Sequence, residues 1–521
     1  MLGSPSERLR SARVLTESAF WLPLLVAGAT VAVFPPHTVD GPAHLLGGDV
    51  IARHGDVAVF GEYYRLDWFP TPNLSTSLLL AGLIRLFGPD AAARTVLMAC
   101  VVALPLGLRY AITALRPECG WAGIAALPLA FNYLYVYGFH NFCLATALCL
   151  GAAGVALRAA PAWTPTRTVA LGVLLTATWF THLLGFVAAL VLLGAVVVAI
   201  RPRRLLPPAL TTAPGLGLTG AYLVHGSGSG APHWAGPFGA LGGLISLHTQ
   251  LVTWTRADNV VAGALAAVLF AIAVATRRAA PPAEAVESIA LAACAAVGLF
   301  LLAPEDLGTA FGFIGERLSV FPILFGLLWL LARPIPTRWA AAAVGACLVA
   351  TAALGAVRLP ELRREDRLAA EYVSAAKFLR PGSTLIALRF AEFTPSAGRN
   401  PHADPLRHLS SELAVRSASI DVGHYEAVFD YFPARFRPDR DLRRAVDPTL
   451  TGLEQVPPRV DLDGARRLTG APIAFVLLVG VDRATGAAAP ALAATRAALA
   501  NGYRLVGHTA PRGLVEVWAA A

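Results

Sequence analysis

A helix needs about twenty apolar residues in succession to cross the hydrocarbon core of a bilayer, and runs of that kind dominate this sequence. Twelve segments are candidates: 19–34, 74–88, 93–115, 119–137, 142–158, 167–181, 183–200, 205–225, 259–276, 287–303, 317–333 and 338–357. The stretch 167–200 is 34 residues long, too long for one crossing, and is divided in two. Only 14% of the 521 residues are charged and 56% are hydrophobic, where a soluble chain carries about a quarter charged residues. Most of the surface therefore faces something other than water. Charge becomes dense only after Pro360. The expected fold is a polytopic α-helical membrane protein, with about 11–13 transmembrane helices in residues 1–359. A small C-terminal α/β domain, residues 360–521, follows it.

The net charge of +9 does not point to nucleic acid, because the basic clusters abut apolar runs. Arg201, Arg203 and Arg204, then Arg277 and Arg278, then Arg333 and Arg338 fall on alternate loops, as cytoplasmic anchors do. With Arg8, Arg10 and Arg13 ahead of the first run, the N-terminus is expected in the cytoplasm. Loop 35–73 and the C-terminal domain are then expected outside. That parity requires an odd number of crossings, eleven or thirteen. The Ala, Arg, Gly and Pro bias suggests a high-GC bacterial genome, hence a bacterial inner membrane. The six cysteines have no CxxC spacing, which argues against a disulfide framework or zinc site.

Loop 35–73 holds the most distinctive residues. From Pro42, apolar Leu45, Leu46, Val50 and Ile51 recur near helical spacing with polar residues opposite, the pattern of a helix lying on the membrane surface. Segment 235–254, flanked by Trp234 and Trp254, reads similarly. Asp40 follows the first span by six residues, and His44, four residues on, shares its helix face. A carboxylate at the membrane surface can serve as general base towards an acceptor hydroxyl. Equally, Asp before Gly-Pro is a natural helix N-cap. Arg317, beside Glu316, opens a span and offers a cation for a phosphate leaving group; the alternative is an interfacial arginine paired with Glu316. Arg53 and His54 lie further along the surface helix. His182 sits at the middle of the 34-residue run, either facing a site or satisfied by a carbonyl. In the tail, 363–380 reads as a helix and 487–500 as another, with strands at 383–390, 473–481, 503–509 and 514–519. The patch His424-Tyr425-Glu426 with Tyr431-Phe432-Pro433 suits sugar stacking or packing; packing is the simpler reading. His402, His408 and His424 lack metal-ligand spacing.

The layout resembles the GT-C glycosyltransferases, membrane enzymes that use polyprenyl-phosphate sugars. Its local carriers are Asp40-Gly41-Pro42-Ala43-His44-Leu45 and the junction Leu86-Phe87-Gly88-Pro89-Asp90-Ala91-Ala92-Ala93-Arg94. The span start Tyr137 to Phe142 and the stretch Tyr425 to Pro433 accompany them. The chain lacks the paired Asp-Glu that better-known members carry in this loop. The resemblance implies an inverting transfer of a sugar from a polyprenyl-phosphate carrier to a glycan, lipid or protein acceptor at the outer face. Asp40 would be the catalytic base; His44, Arg53, His182, Glu316 and Arg317 would bind substrate. No nucleotide cofactor is implied, and a divalent metal is optional because acidic residues are few. Two other classes stay open: a flippase for a lipid-linked saccharide, which needs midplane charges or repeated halves, and a non-catalytic envelope scaffold.

Overall fold

The computed structural model describes residues 5–521 except 202–204, 226–230, 235, 254, 279–282, 308–311 and 394–403, with side chains from Val14 onward. Arg203, Arg204, Trp254 and His402 lie outside the described residues. The chain divides into two compact units. One comprises residues 1–35, 94–135 and 139–358; the other comprises 36–93, 136–138 and 359–521. Sequence grouped loop 36–73 with the spans, whereas in the structure it clusters with the tail.

In the first unit the apolar runs become helices. Among the described residues, eight are long and apolar enough to cross a membrane: Val14–Val33, Pro89–Ile112, His140–Ala159, Leu183–Ile200, Arg256–Ala275, Glu284–Leu302, Ile314–Ala332 and Thr337–Phe378. Three other apolar helices, Pro165–Thr181 and Leu206–His225 here and Leu74–Phe87 in the second unit, fall short of that combination of length and hydropathy. Candidate 119–137 is not a helix of crossing length. It breaks into a 3-10 helix, Pro117–Ala126, and the short helices Leu127–Ala130 and Tyr133–Tyr137, because Pro117, Pro128 and the intervening glycines interrupt the hydrogen-bond ladder.

The long run 167–200 divides at His182. Its backbone is extended, φ −166° and ψ 131°, so it ends one helix and caps the next, its Nδ1 accepting from the Leu184 amide. A buried ion pair links two other helices of this unit. Arg358 Nε lies 3.4 Å from Asp258 Oδ2, with the two side chains 4% and 0% exposed. Arg358 also donates to the carbonyls of Phe131 and Leu251, and Asp258 accepts from the amide and hydroxyl of Thr253.

The second unit is built on a five-stranded sheet. Its strands are β1 (Thr384–Arg389), β2 (Ile420–Asp421), β3 (Phe475–Val479), β4 (Tyr503–His508) and β5 (Val515–Ala520), in the order β2-β1-β3-β5-β4. β1 runs parallel to β2 and β3; β5 is antiparallel to β3 and β4. Central β3 is buried along its whole length, as a continuous apolar run in a covered sheet should be. β5 alternates, burying every second residue. Ile386, Leu388, Val476, Leu478, Leu492 and Leu499 form the core beneath it.

The helix Gly41–Arg53 corrects the expectation of a membrane-surface helix. It packs on Leu74–Phe87, on the helix Ser410–Ser417 and on the 3-10 turn Tyr425–Val428. Its apolar Leu46 and Val50 and its polar His44 and Asp49 are all buried. Both faces are therefore covered: the polar side by the tail, and not by water.

Removing one partner of a buried ion pair leaves an uncompensated charge, at about 3–5 kcal/mol. Arg358→Leu is expected to destabilise the detergent-solubilised protein by that order, and Asp258→Asn combined with Arg358→Leu to recover most of it. Thermal unfolding of the two variants against wild type checks this.

Candidate active site

The site begins where two chain segments meet. The Val39 amide donates to the Val136 carbonyl at 3.2 Å, and the Asp40 amide to the Tyr137 carbonyl at 2.9 Å. Gly138 permits this. It adopts φ +97°, and a Cβ there would stand 2.8 Å from the amide nitrogens of Asp40 and Gly41; only glycine fits. Pro42 then starts the helix, and the His44 amide bonds the Asp40 carbonyl at 3.0 Å.

Asp40 occupies the N-cap position, yet its side chain makes no capping hydrogen bond. The carboxylate points elsewhere. Its Oδ1 lies 3.5 Å from His408 Nε2, and it accepts a hydrogen bond from the Tyr425 side chain. The Asp40 residue is 7% exposed. Burial pushes the carboxyl up to about 6, against the opposing pull of His44 and Arg407. Burial likewise pushes the His408 imidazole down to about 3, leaving it neutral at pH 7. The rings of His408 and Tyr425 are 4.8 Å apart.

His44 faces a second carboxylate. Its Nδ1 pairs with Glu426 Oε1, and the Gly138 backbone also bonds the imidazole. Burial works against the imidazolium, but Glu426 outweighs it and the His44 pKa ends above its usual value. Glu426 is buried too, and burial would raise its carboxyl. His44, helped by His424, instead holds it down to about 2. Gly47 makes room for this pair, since a Cβ there would come 2.7 Å from Glu426 Oε2.

Behind these residues runs a charged network. Arg407 Nε donates to Glu454 Oε2 at 2.8 Å and its Nη1 to the Tyr137 hydroxyl at 3.3 Å. Arg443 bonds the other Glu454 oxygen at 3.1 Å. Aromatic rings border the cluster: Phe432 lies 6.0 Å from His44, and Phe429 stacks on Tyr431 at 5.3 Å. Among the described residues, no three His, Cys, Asp or Glu side chains are grouped to hold a metal ion.

Sequence-derived candidates are thus sorted unequally. Asp40 and His44 share one cluster. Arg53 belongs at the opposite end of the same helix, roughly 20 Å along it, where it pairs with buried Asp49 and donates to the Val415 carbonyl. His182, Glu316 and Arg317 belong to the other unit. There Arg317 Nη1 donates to the Gly312 carbonyl at 2.7 Å, and its guanidinium lies 4.0 Å from the Phe139 ring. His182 packs against Phe142, and the Glu316 carbonyl accepts from Gln250. The partners of Asp40 escape sequence reasoning: Tyr425 reads as packing, His408 only as a histidine without metal-ligand spacing, and Arg407, Glu454 and Gly138 carry no role. The stretches Tyr137–Phe142 and Tyr425–Pro433 were the available signal.

The ion pair of His44 and Glu426 has a defined pH window. Glu426, held below its ordinary 4.5, contributes stability that is complete above pH 4.5 and lost as pH falls towards 2. His44, held above its ordinary 6.5, contributes stability that is complete below pH 6.5 and lost as pH rises through its folded value. Glu426→Gln should therefore lower the unfolding midpoint most between about pH 4.5 and 6.5, and less on either side. Thermal melts across pH 3–9 read this.

No protein-family model matches the chain, and no curated protein matches it. Among solved structures, the crystal structure of ArnT from Cupriavidus metallidurans in the apo state aligns with a TM-score of 0.53 at 15% identity, covering 96% of this chain and 97% of that one. The chain is a multi-pass membrane protein with the fold of ArnT along nearly its full length, the GT-C architecture that its layout resembles.

Proposed function

We propose that the protein is an inverting glycosyltransferase that moves a sugar from a polyprenyl-phosphate carrier to an acceptor at the outer face of the membrane, with Asp40 as the general base. One observation carries the reading. Asp40 sits where a capping aspartate would sit, yet leaves the helix uncapped and turns a buried carboxylate towards His408 and Tyr425. A carboxyl group titrating near 6 is ionised at neutral pH and basic enough to take a proton from a hydroxyl at the transition state.

The step balances as a single displacement. The acceptor oxygen attacks the anomeric carbon, its proton passes to Asp40, and the bond from that carbon to the carrier phosphate breaks with its electron pair leaving on the phosphate. Tyr425 orients the carboxylate by donating to it. The leaving phosphate needs cationic groups at the outer surface. His44, held above its usual pKa by Glu426, supplies positive charge beside Asp40. Half-buried Phe429 and Tyr431 offer rings on which a sugar face can stack.

Asp40→Asn separates function from folding. Burial pushes the wild-type carboxyl from its ordinary 3.8 up to about 6, so its ionisation costs folding stability progressively as pH rises between those values, on the order of 2–3 kcal/mol once complete. The neutral variant escapes that cost and should melt higher at pH 7–8, while transfer from a labelled polyprenyl-phosphate sugar in membranes falls by about 10²–10⁴-fold. Wild-type kcat/KM should decline on the acid side with a midpoint near 6. Full transfer by both Asp40→Asn and Asp40→Ala would show that the base lies elsewhere.

A further inference from the structure

A cleft of about 430 Å³ opens in the same unit as Asp40. Its charged lining is Arg65, Arg435, Arg444 and Asp441, and Val428 and Phe436 contribute its apolar surface. Three arginines against one aspartate leave it positive. The placement of two of them is unusual. Strands Tyr64–Leu66 and Ala434–Phe436 form an antiparallel pair in which Arg65 stands directly opposite Arg435. Directly opposed residues share one face of a ladder, and like charges there repel. Arg435 is partly compensated by Asp67 at 3.3 Å, and Arg444 by Asp441 at 3.1 Å. Among the described residues no ion pair involves Arg65.

We propose that this cleft binds an oxyanion, a phosphate or carboxylate, carried on the acceptor. The cross-strand repulsion is relieved when an anion bridges Arg65 and Arg435, whose planar guanidinium groups suit bidentate contact with such groups. The cleft shares an element with the Asp40 cluster. In the single turn Tyr425–Val428, Tyr425 bonds Asp40 and Glu426 pairs with His44, while Ala427 and Val428 line the cleft. The occupant is an acceptor group and not the carrier lipid because none of the residues lining the cleft lies on a helix long and apolar enough to cross a membrane. Exposed Arg437, Pro438 and Asp439 follow directly on the strand that bears Arg435. Assignment to the acceptor rests on the transferase reading; the anion site itself does not.

Equilibrium titration of the full-length protein in nanodiscs tests this with four probes: glucose, glucose 6-phosphate, glucuronate and geranylgeranyl phosphate. At least one of the two acidic sugars should bind tenfold or more tightly than glucose, and the preferred one identifies the anion as phosphate or carboxylate. Arg65→Gln should abolish that preference, Arg65→Lys should retain part of it, and Asp40→Asn should leave it unchanged. Without ligand, Arg65→Gln should melt no lower than wild type, since it removes repulsion. Equal binding of glucose and the acidic sugars, or full retention by Arg65→Gln, overturns the site. Selective binding of geranylgeranyl phosphate alone overturns the acceptor assignment. Loss of transfer in Asp40→Asn without any anion preference sinks the cleft and spares the transferase; the converse result does the reverse.

Discussion

The free-energy cost of keeping a carboxylate away from water organises the candidate site. Two carboxylates meet that cost in different ways within one small cluster. Glu426 is fully compensated by His44 and His424, and ends more acidic than in water. Asp40 is compensated only in part, and ends less acidic. Environments that drive two neighbouring acids in opposite directions assign them different work. Glu426 fixes a positive charge and the geometry of the helix start. Asp40 is left with spare basicity, the property that the proposed proton transfer uses.

How much of this could be read in the sequence depends on the range of the interactions. Apart from 119–137, the apolar helices, the strands around residues 384, 475, 503 and 515, and the helix near 488 are set by local apolar runs and alternation, and they emerge close to where the residues indicate. The twofold division of 167–200 also follows from one local event, the extended backbone at His182. The helix at 41–53 was legible as a helix but not in its surroundings. An amphipathic pattern states that two faces differ, and does not state whether the polar face meets water or a folded tail. Here the tail supplies Glu426 to His44, and Arg53 of the same helix pairs with Asp49, so both are buried despite their type.

The site itself was legible by half. Asp40 and His44 declare each other through i, i+4 spacing. Their counterparts sit more than 360 residues away, and no local rule connects His408 or Tyr425 to residue 40. Both were visible only as aromatic and histidine content, which cores and sugar sites use alike. Gly138 was hidden for a different reason. Its role is a close approach of two backbones, and a glycine's lack of a side chain leaves no pattern to read. The single-turn coincidence of Asp40 with a capping position was the main ambiguity, and only side-chain direction could resolve it.

The pairing of His44 with Glu426 joins positions 382 residues apart. At a synthesis rate of about 5–20 residues per second, roughly 20–75 s separate the appearance of the histidine from that of its partner. Throughout that interval the nascent helix would show its polar side to whatever surrounds it, and Asp40 would keep an ordinary acidity. Basicity at residue 40 is therefore acquired only after the ribosome has passed the tail. A protein truncated before residue 425 would retain its hydrophobic runs and lack the environment that makes its aspartate basic, so the last third of the gene sets the acidity of a residue in the first tenth.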